Sequence, residues 1–157
     1  AVMMELKLIG KINNKHGFEI HIDETYKEAL TGINGFSHLL VLWWADQVDN
    51  LELRKITTVE KPYKKGPDNI GIFATRSPLR PNPICVSIID VKGIDCDQGI
   101  IYTSYIDAEC GTPVLDIKPY YPCSDVVREA VLPEWCEGLP SCIEDSADFD
   151  WSNYLNF

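Results

Sequence analysis

A chain of 157 residues has the size of one globular domain, because so short a chain seldom divides into two separately cored bodies. Its 45% hydrophobic and 24% charged content is that of an ordinary folded protein and excludes disorder, collagen-like repeats and fibrous structure. The longest apolar run, residues 39–45, falls well short of the roughly 18 residues that cross a bilayer. No basic-then-apolar leader stands ahead of Met3, so a soluble, cytoplasmic protein without membrane contact is expected.

The net charge of −10 would repel nucleic acid if it were evenly spread, but it is not. Residues 54–80 hold Arg54, Lys55, Lys61, Lys64, Lys65, Arg76 and Arg80 against Glu60 and Asp68, a local excess of five positive charges that leaves −15 on the remainder. A solvated lysine-rich loop is one reading of this segment, and a binding surface is the other.

Taken in chain order, residues 5–9 read as a strand. Residues 17–22 read as a half-buried one, with Phe18, Ile20 and Ile22 alternating with Glu19 and His21. Residues 23–32 begin with Asp23 as a cap, place Tyr26, Ala29 and Leu30 on one side and end at Gly32, as a short helix would. Residues 39–44 are apolar on both faces and follow the turn-forming Asn34-Gly35, the pattern of a central strand buried on both sides. A loop of roughly 20 residues with Pro62, Gly66 and Pro67 comes next, and loops of that length in a compact domain tend to be functional. Strands are expected again at 69–74, 84–91 and 100–106, the last two joined at Gly99, and an extended piece at 114–117. Ser124 or Asp125 is positioned to cap a helix over 126–130. The stretch from Glu134 to Asp150 has six carboxylates and no base, and its aromatic residues Trp135, Phe149, Trp151, Tyr154 and Phe157 are its means of packing.

Six or seven strands with few short helices predict a mainly β protein, a barrel or sandwich. The glycine-rich phosphate-binding turns and the G-x-S-x-G elbow are absent. The six cysteines, Cys85, Cys96, Cys110, Cys123, Cys136 and Cys142, contain no C-x-x-C, and His16, His21 and His38 have no paired spacing, so no metal site is expected. Reduced, mostly buried thiols are the expectation.

Three clusters could carry chemistry. Residues 71–84 contain Thr75-Arg76-Ser77-Pro78-Leu79-Arg80-Pro81-Asn82-Pro83, whose prolines fix three φ angles and bias each preceding residue to extended geometry. Arg76, Arg80 and Asn82 are thereby held on a rigid segment, either to bind an anion or base edge or to cap nearby carbonyls. In residues 107–120, Asp116 and Lys118 are two apart and share a strand face, as a structural ion pair or as catalytic groups. In residues 35–47, a buried strand ends in Asp46-Gln47, which rims a pocket or ends a turn.

Residues 35–47, 71–87 and 111–120, in this order and with the blocks F-A-T-R-S-P-L-R-P-N-P-I and G-T-P-V-L-D-I-K-P-Y, resemble the signature of the TsaA-like, or TrmO, family of S-adenosylmethionine-dependent tRNA methyltransferases. The resemblance implies a compact single-sheet β-barrel over residues 1–135 with an acidic tail at 136–157 packed on the same domain, a short form without the second domain of longer bacterial members. It implies a dimer with the cofactor near the subunit interface, and methylation of N6 of threonylcarbamoyladenosine beside the tRNA anticodon. By that resemblance Asp46, Gln47, Arg76, Val86, Ser104, Tyr105, Ile106 and Asp107 line the cofactor site, and Asp116, Lys118 and Tyr120 belong to a catalytic motif. Asp107 or Asp116 would accept the N6 proton. Arg76, Arg80 and Asn82, with Lys61, Lys64 and Lys65, would hold the nucleotide. The family's N-terminal cofactor loop has no counterpart between Gly10 and Phe18, and Cys85 stands where a glycine is usual. A non-catalytic S-adenosylmethionine- or nucleoside-binding module, and a methyltransferase with a non-tRNA substrate, are the alternatives.

Overall fold

The computed structural model describes residues 3–156, and the chain forms two units, residues 1–50 with 82–126 and residues 51–81 with 127–157. The acidic tail groups with the basic loop, because their aromatic residues share a cluster. Phe157, expected to help pack that tail, lies outside the described residues.

The first unit is one seven-stranded sheet. Its strands are β1 (Gly10–Asn13), β2 (Phe18–Ile22), β3 (His38–Trp44), β6 (Ile84–Asp90), β7 (Gly93–Asp95), β8 (Ile100–Thr103) and β9 (Pro113–Pro119), in the order β6-β3-β9-β1-β2-β8-β7 and antiparallel throughout. Alternation along the strands sends Ile12, Ile20, Leu39, Val41, Ile89, Ile101 and Val114 to one face, where none is more than 2% exposed. Each such burial is worth about 1.5–3 kcal/mol. Ile89 and Ile101 come from opposite ends of the sheet yet sit in one core cluster, so the sheet wraps around a common interior as the mainly β expectation requires. Closure by a backbone ladder is not found among the described residues, since no pairing joins β6 to β7. The carboxylate of Asp90 at the end of β6 instead reaches the end of β8, accepting from Thr103 Oγ1 and Ser104 N at 2.8 Å each and from the Ser104 hydroxyl.

Several local expectations change. Residues 5–9 form no strand: Met3, Met4, Leu6 and Leu8 are exposed, and the ladder begins at Gly10. Only glycine fits there, because a Cβ on Gly10 would lie 2.2 Å from the carbonyl oxygen of His21 on the paired strand. Residues 24–30 are a 3₁₀ rather than an α-helix, closed by i→i+3 bonds from Tyr26, Thr31 and Ile33. Seven residues with only Leu30 buried do not sustain a longer-ranged ladder. β3 is flanked by β6 and β9 but lies next to the edge strand, and only Leu39 and Val41 are fully buried, its other face being half-exposed. Gly99, at φ +70°, turns β7 into β8 rather than joining β6 to β8, and β9 runs longer than its expected core. The helix expected over 126–130 is absent. The α-helix α1 occupies Pro122–Asp125, and beyond it Val126, Val127 and Val131 are exposed, so no apolar face is buried to hold a helix there. The six cysteines are free, but none is buried, and Cys110, Cys123 and Cys142 are exposed.

In the second unit the expected loop contains a strand, β4 (Thr58–Glu60), paired with β5 (Asn69–Gly71), after which residues Ile72–Ala74 turn in a 3₁₀ helix. Tyr63 stacks on Trp135 and Tyr154 at 5.0 Å each, and Phe149 and Trp151 continue the cluster. Residues 62–64 and 154–156 add a short backbone pairing, with Lys64 N donating to Tyr154 O and Asn156 N to Pro62 O. No helix among the described residues is long and apolar enough to cross a membrane.

Candidate functional site

The site is built by strand register. In the first unit β3 lies between β6 and β9, and paired residues point to the same side. Because Leu39 and Val41 face the core, their neighbours face outward in rows. Leu42 lies beside Val86 and Asp116, Leu40 beside Ile88 and Lys118, and Trp44 beside Ile84. A bulge between Leu42 and Trp43 skips Leu115, which keeps Val114 in the core while Asp116 faces outward. Tyr120 N donates to His38 O, and the two rings meet edge to face, extending the same face by one row that also includes Asp90.

This single face brings together Val86, Asp116, Lys118 and Tyr120. Lys118 Nζ lies 2.8 Å from Asp116 Oδ2, and Asp116 Oδ1 accepts from Ile117 N. The hydrogen bond and charge of Asp116 raise the Lys118 ammonium above its ordinary pKa, so it stays charged. Immediately after Trp44 the chain turns through a 3₁₀ helix at Asp46–Val48, tied down by Ala45 N donating to Pro83 O and by Trp44 Nε1 donating to Asp49 Oδ2. Asp46 and Gln47 sit on this turn, and their side chains make no hydrogen bond among the described residues.

The segment 104–107 joins the face through Asp90. Burial alone would raise the Asp90 carboxyl, but the hydrogen bonds from Ser104 and Thr103 outweigh it and hold the group below its ordinary value. Tyr105 is exposed, rests edge-on against Phe18 at 5.3 Å and points its hydroxyl at Asp107 Oδ1, 3.4 Å away. Burial and the Asp107 charge push its phenol up, so it remains a donor. Ile106 is only 2% exposed and belongs to the core, so its side chain is not available to a ligand.

The expected nucleotide-binding residues fall into both units. Asn82, exposed, begins the approach to β6 in the first unit, with its carbonyl accepting from Ile84 N. The others lie in the second. Arg80 Nη1 donates to Thr75 O at 3.0 Å and Ser77 O at 3.1 Å, so its planar fork caps the carbonyls of its own turn. Lys64 Nζ donates to Ser152 O at 2.6 Å, and Lys61 Nζ lies 3.4 Å from Asp68 Oδ1. Lys65 and Arg76 are exposed. Among the described residues no group of three metal-ligating side chains comes together.

The residues missed by motif reading are Asp90, Leu42 and Trp44. For Asp90 the period of two along 84, 86, 88 and 90 is the one sequence signal, while Leu42 and Trp44 lie in an apolar run without a period, and which side faces out depends on the pairing.

Residues 9–126 match the tRNA-methyltransferase O N-terminal domain family. The chain belongs to this family. Among TrmO relatives, the tRNA (adenine(37)-N6)-methyltransferase of Escherichia coli is 37% identical over 125 residues, 77% of this chain and 52% of that protein. A probable S-adenosyl-L-methionine-binding protein of Pyrococcus horikoshii is also 37% identical, over 77% of this chain and 85% of that one. The crystal structure of TrmO from Pseudomonas aeruginosa superposes with a TM-score of 0.63 at 28% identity, covering 83% of this chain and 61% of that chain. The chain thus spans about half the length of the Escherichia coli relative.

Proposed function

We propose that this TrmO-family chain is an S-adenosylmethionine-dependent methyltransferase that modifies N6 of threonylcarbamoyladenosine next to the tRNA anticodon, in the cytoplasm. The observation that carries the reading is the family match over residues 9–126, supported by the enzymatic name of the Escherichia coli relative. The outward face suits the cofactor's chemistry. It offers half-exposed apolar side chains, Leu42 and Val86, for an adenine or thioether, and the uncommitted carboxylate of Asp46 for a cationic group. Asp46, Gln47, Val86, Ser104 and Tyr105 would hold it, Ile106 contributing backbone alone. Bound S-adenosylmethionine supplies an electrophilic methyl group on a sulfonium.

The chain's own work is alignment, desolvation and proton removal, of which alignment alone is worth about 7–11 kcal/mol in favourable cases. Asp107 Oδ2 takes the proton that N6 loses, its other oxygen being held by the Tyr105 hydroxyl. Asp116, with both oxygens engaged, is the weaker candidate for that role and holds the Lys118 ammonium beside Tyr120. Lys61, Lys64, Lys65 and Arg76 of the second unit supply the cations that would meet the RNA. A homodimer is supported by β6, an edge strand whose Ile84 and Val86 are 39% and 43% exposed.

Incubation with labelled S-adenosylmethionine and tRNA from a strain without its own methylating enzyme, followed by nucleoside analysis, tests the reading. Label on threonylcarbamoyladenosine is expected. Cofactor binding with no labelled nucleoside would favour the binding-module reading, which the name of the Pyrococcus relative, covered over 85% of its length, keeps in view. Label on another acceptor would move the substrate away from tRNA.

A further inference from the structure

One exposed aromatic ring has no part in the reading above. Phe73 is 80% exposed, although its neighbour Ile72 is 1% exposed and anchors the turn. That turn is closely fixed. Ile72 N donates to Thr57 O, Thr75 N and Thr75 Oγ1 both donate to Ile72 O, Ser77 N donates to Thr75 Oγ1, and Leu79 N donates to Ser77 Oγ. Arg80 pins the far end through its two carbonyl contacts, and its guanidinium carbon lies over the Phe73 ring, 5.9 Å from the centroid. The ring is therefore presented to solvent on a backbone with little conformational freedom left to lose on binding. The exposed cation of Arg76 stands three residues along. All seven basic residues of the segment 54–80 belong to this same unit.

We propose that Phe73 is a stacking platform for an unpaired nucleobase of the RNA substrate, with Arg80 backing the ring and Arg76 meeting the adjoining phosphate. The proposal rests on the tRNA reading above. Every base has a π face, so an aromatic ring binds a splayed-out base whatever its identity, and a guanidinium against the ring adds a cation–π contact. A nucleobase could equally come from the cofactor's adenine, but small-molecule sites are concave and enclose their ligand, whereas this ring stands in solvent. The surrounding positive charge favours a polyanion.

The test is equilibrium binding of the full chain, without cofactor, to an anticodon stem–loop RNA carrying 2-aminopurine in the loop, with S-adenosylhomocysteine titrated separately. Phe73→Ala should weaken RNA binding about fivefold to a hundredfold with the salt slope unchanged, since no phosphate contact is lost. Phe73→Trp should retain binding and quench the fluorophore. Arg76→Gln should instead lower the salt slope by about one. Because the ring is 80% exposed, Phe73→Ala should unfold at the wild-type urea midpoint. Unchanged RNA binding by Phe73→Ala, or full binding by Phe73→Leu, overturns the stacking role while leaving the tRNA reading intact. Weakened S-adenosylhomocysteine binding with RNA binding unchanged overturns it in favour of the cofactor. A wild-type chain that does not bind the RNA overturns both readings.

Discussion

Asp90 ties the end of β6 to the end of β8, and replacing it by asparagine isolates the contribution of its charge. The carboxylate accepts three hydrogen bonds, from Thr103 Oγ1, Ser104 N and the Ser104 hydroxyl. Hydrogen bonds to a charged acceptor are worth about 1.5–3 kcal/mol against about 0.5–1.5 for neutral pairs. The carboxamide of Asp90→Asn would keep the two bonds at Oδ1 as neutral ones, and the Ser104 hydroxyl can turn to accept from the new amide. The loss is then the charged-minus-neutral difference over three bonds, reduced because Ser104 is exposed, or about 1–3 kcal/mol. Asp90→Ala should cost more, about 2–4 kcal/mol, because Thr103, 3% exposed, keeps only a 3.4 Å contact to Tyr105 O. The sign with pH follows from the depressed native pKa. The contribution is complete above the unfolded carboxyl's value near ~3.9 and is lost as pH falls through the native value. Urea unfolding followed by circular dichroism at neutral pH and again near pH ~3 reads both effects. Wild-type stability for Asp90→Asn at neutral pH, or a difference that persists unchanged in acid, would refute this account of the Asp90 contacts.

Three further outcomes follow from other parts of the fold. Leu39→Ala, at a fully buried site in β3, should cost about 2–5 kcal/mol in denaturant unfolding, and a loss below about 1 kcal/mol would mean the core cluster is misassigned. Gly10→Ala forces a Cβ against the His21 carbonyl and should destabilise the β1–β2 pairing by about 1–3 kcal/mol, visible as lost hydrogen-exchange protection at Lys11 and His21, which face each other across that ladder; normal protection would contradict the register. Asp107→Asn should lower single-turnover methylation by about 10²–10⁴-fold while leaving the unfolding midpoint unchanged, and Asp116→Asn should lower it less. The reverse ranking would transfer the proton-accepting role to Asp116.

Much of the molecule was legible in the sequence because its cause is local. Alternation at Phe18, Ile20 and Ile22 dictates a one-sided strand in any β context, and the prolines of residues 78–83 confine their own φ angles and those of the residues before them. The blocks around Arg76 and Asp116 likewise carried the family resemblance without reference to any contact. Burial of residues 39–44 was only half legible, since an apolar run has no period to tell which face is covered. The 3₁₀ geometry at residues 24–30 and the missing helix at 126–130 were not legible, because hydrogen-bond range and helix survival depend on what a segment packs against, and Val126 and Val127 are exposed.

By itself, then, the sequence determined the mainly β class, the family, the rigid arginine-bearing turn and the uneven charge, all of which depend on residue type and near neighbours. Only the tertiary structure decided the rest. Register placed Val86, Asp116, Lys118 and Tyr120 on one outward face from three strands far apart in sequence. Packing buried Ile106 and committed Arg80 and Lys64 to carbonyls of their own unit. The edge strand β6 is tied to the end of β8 through Asp90, a residue with no motif. These are non-local pairings, and a linear chain specifies them only through the summed burial and hydrogen bonding of the whole fold.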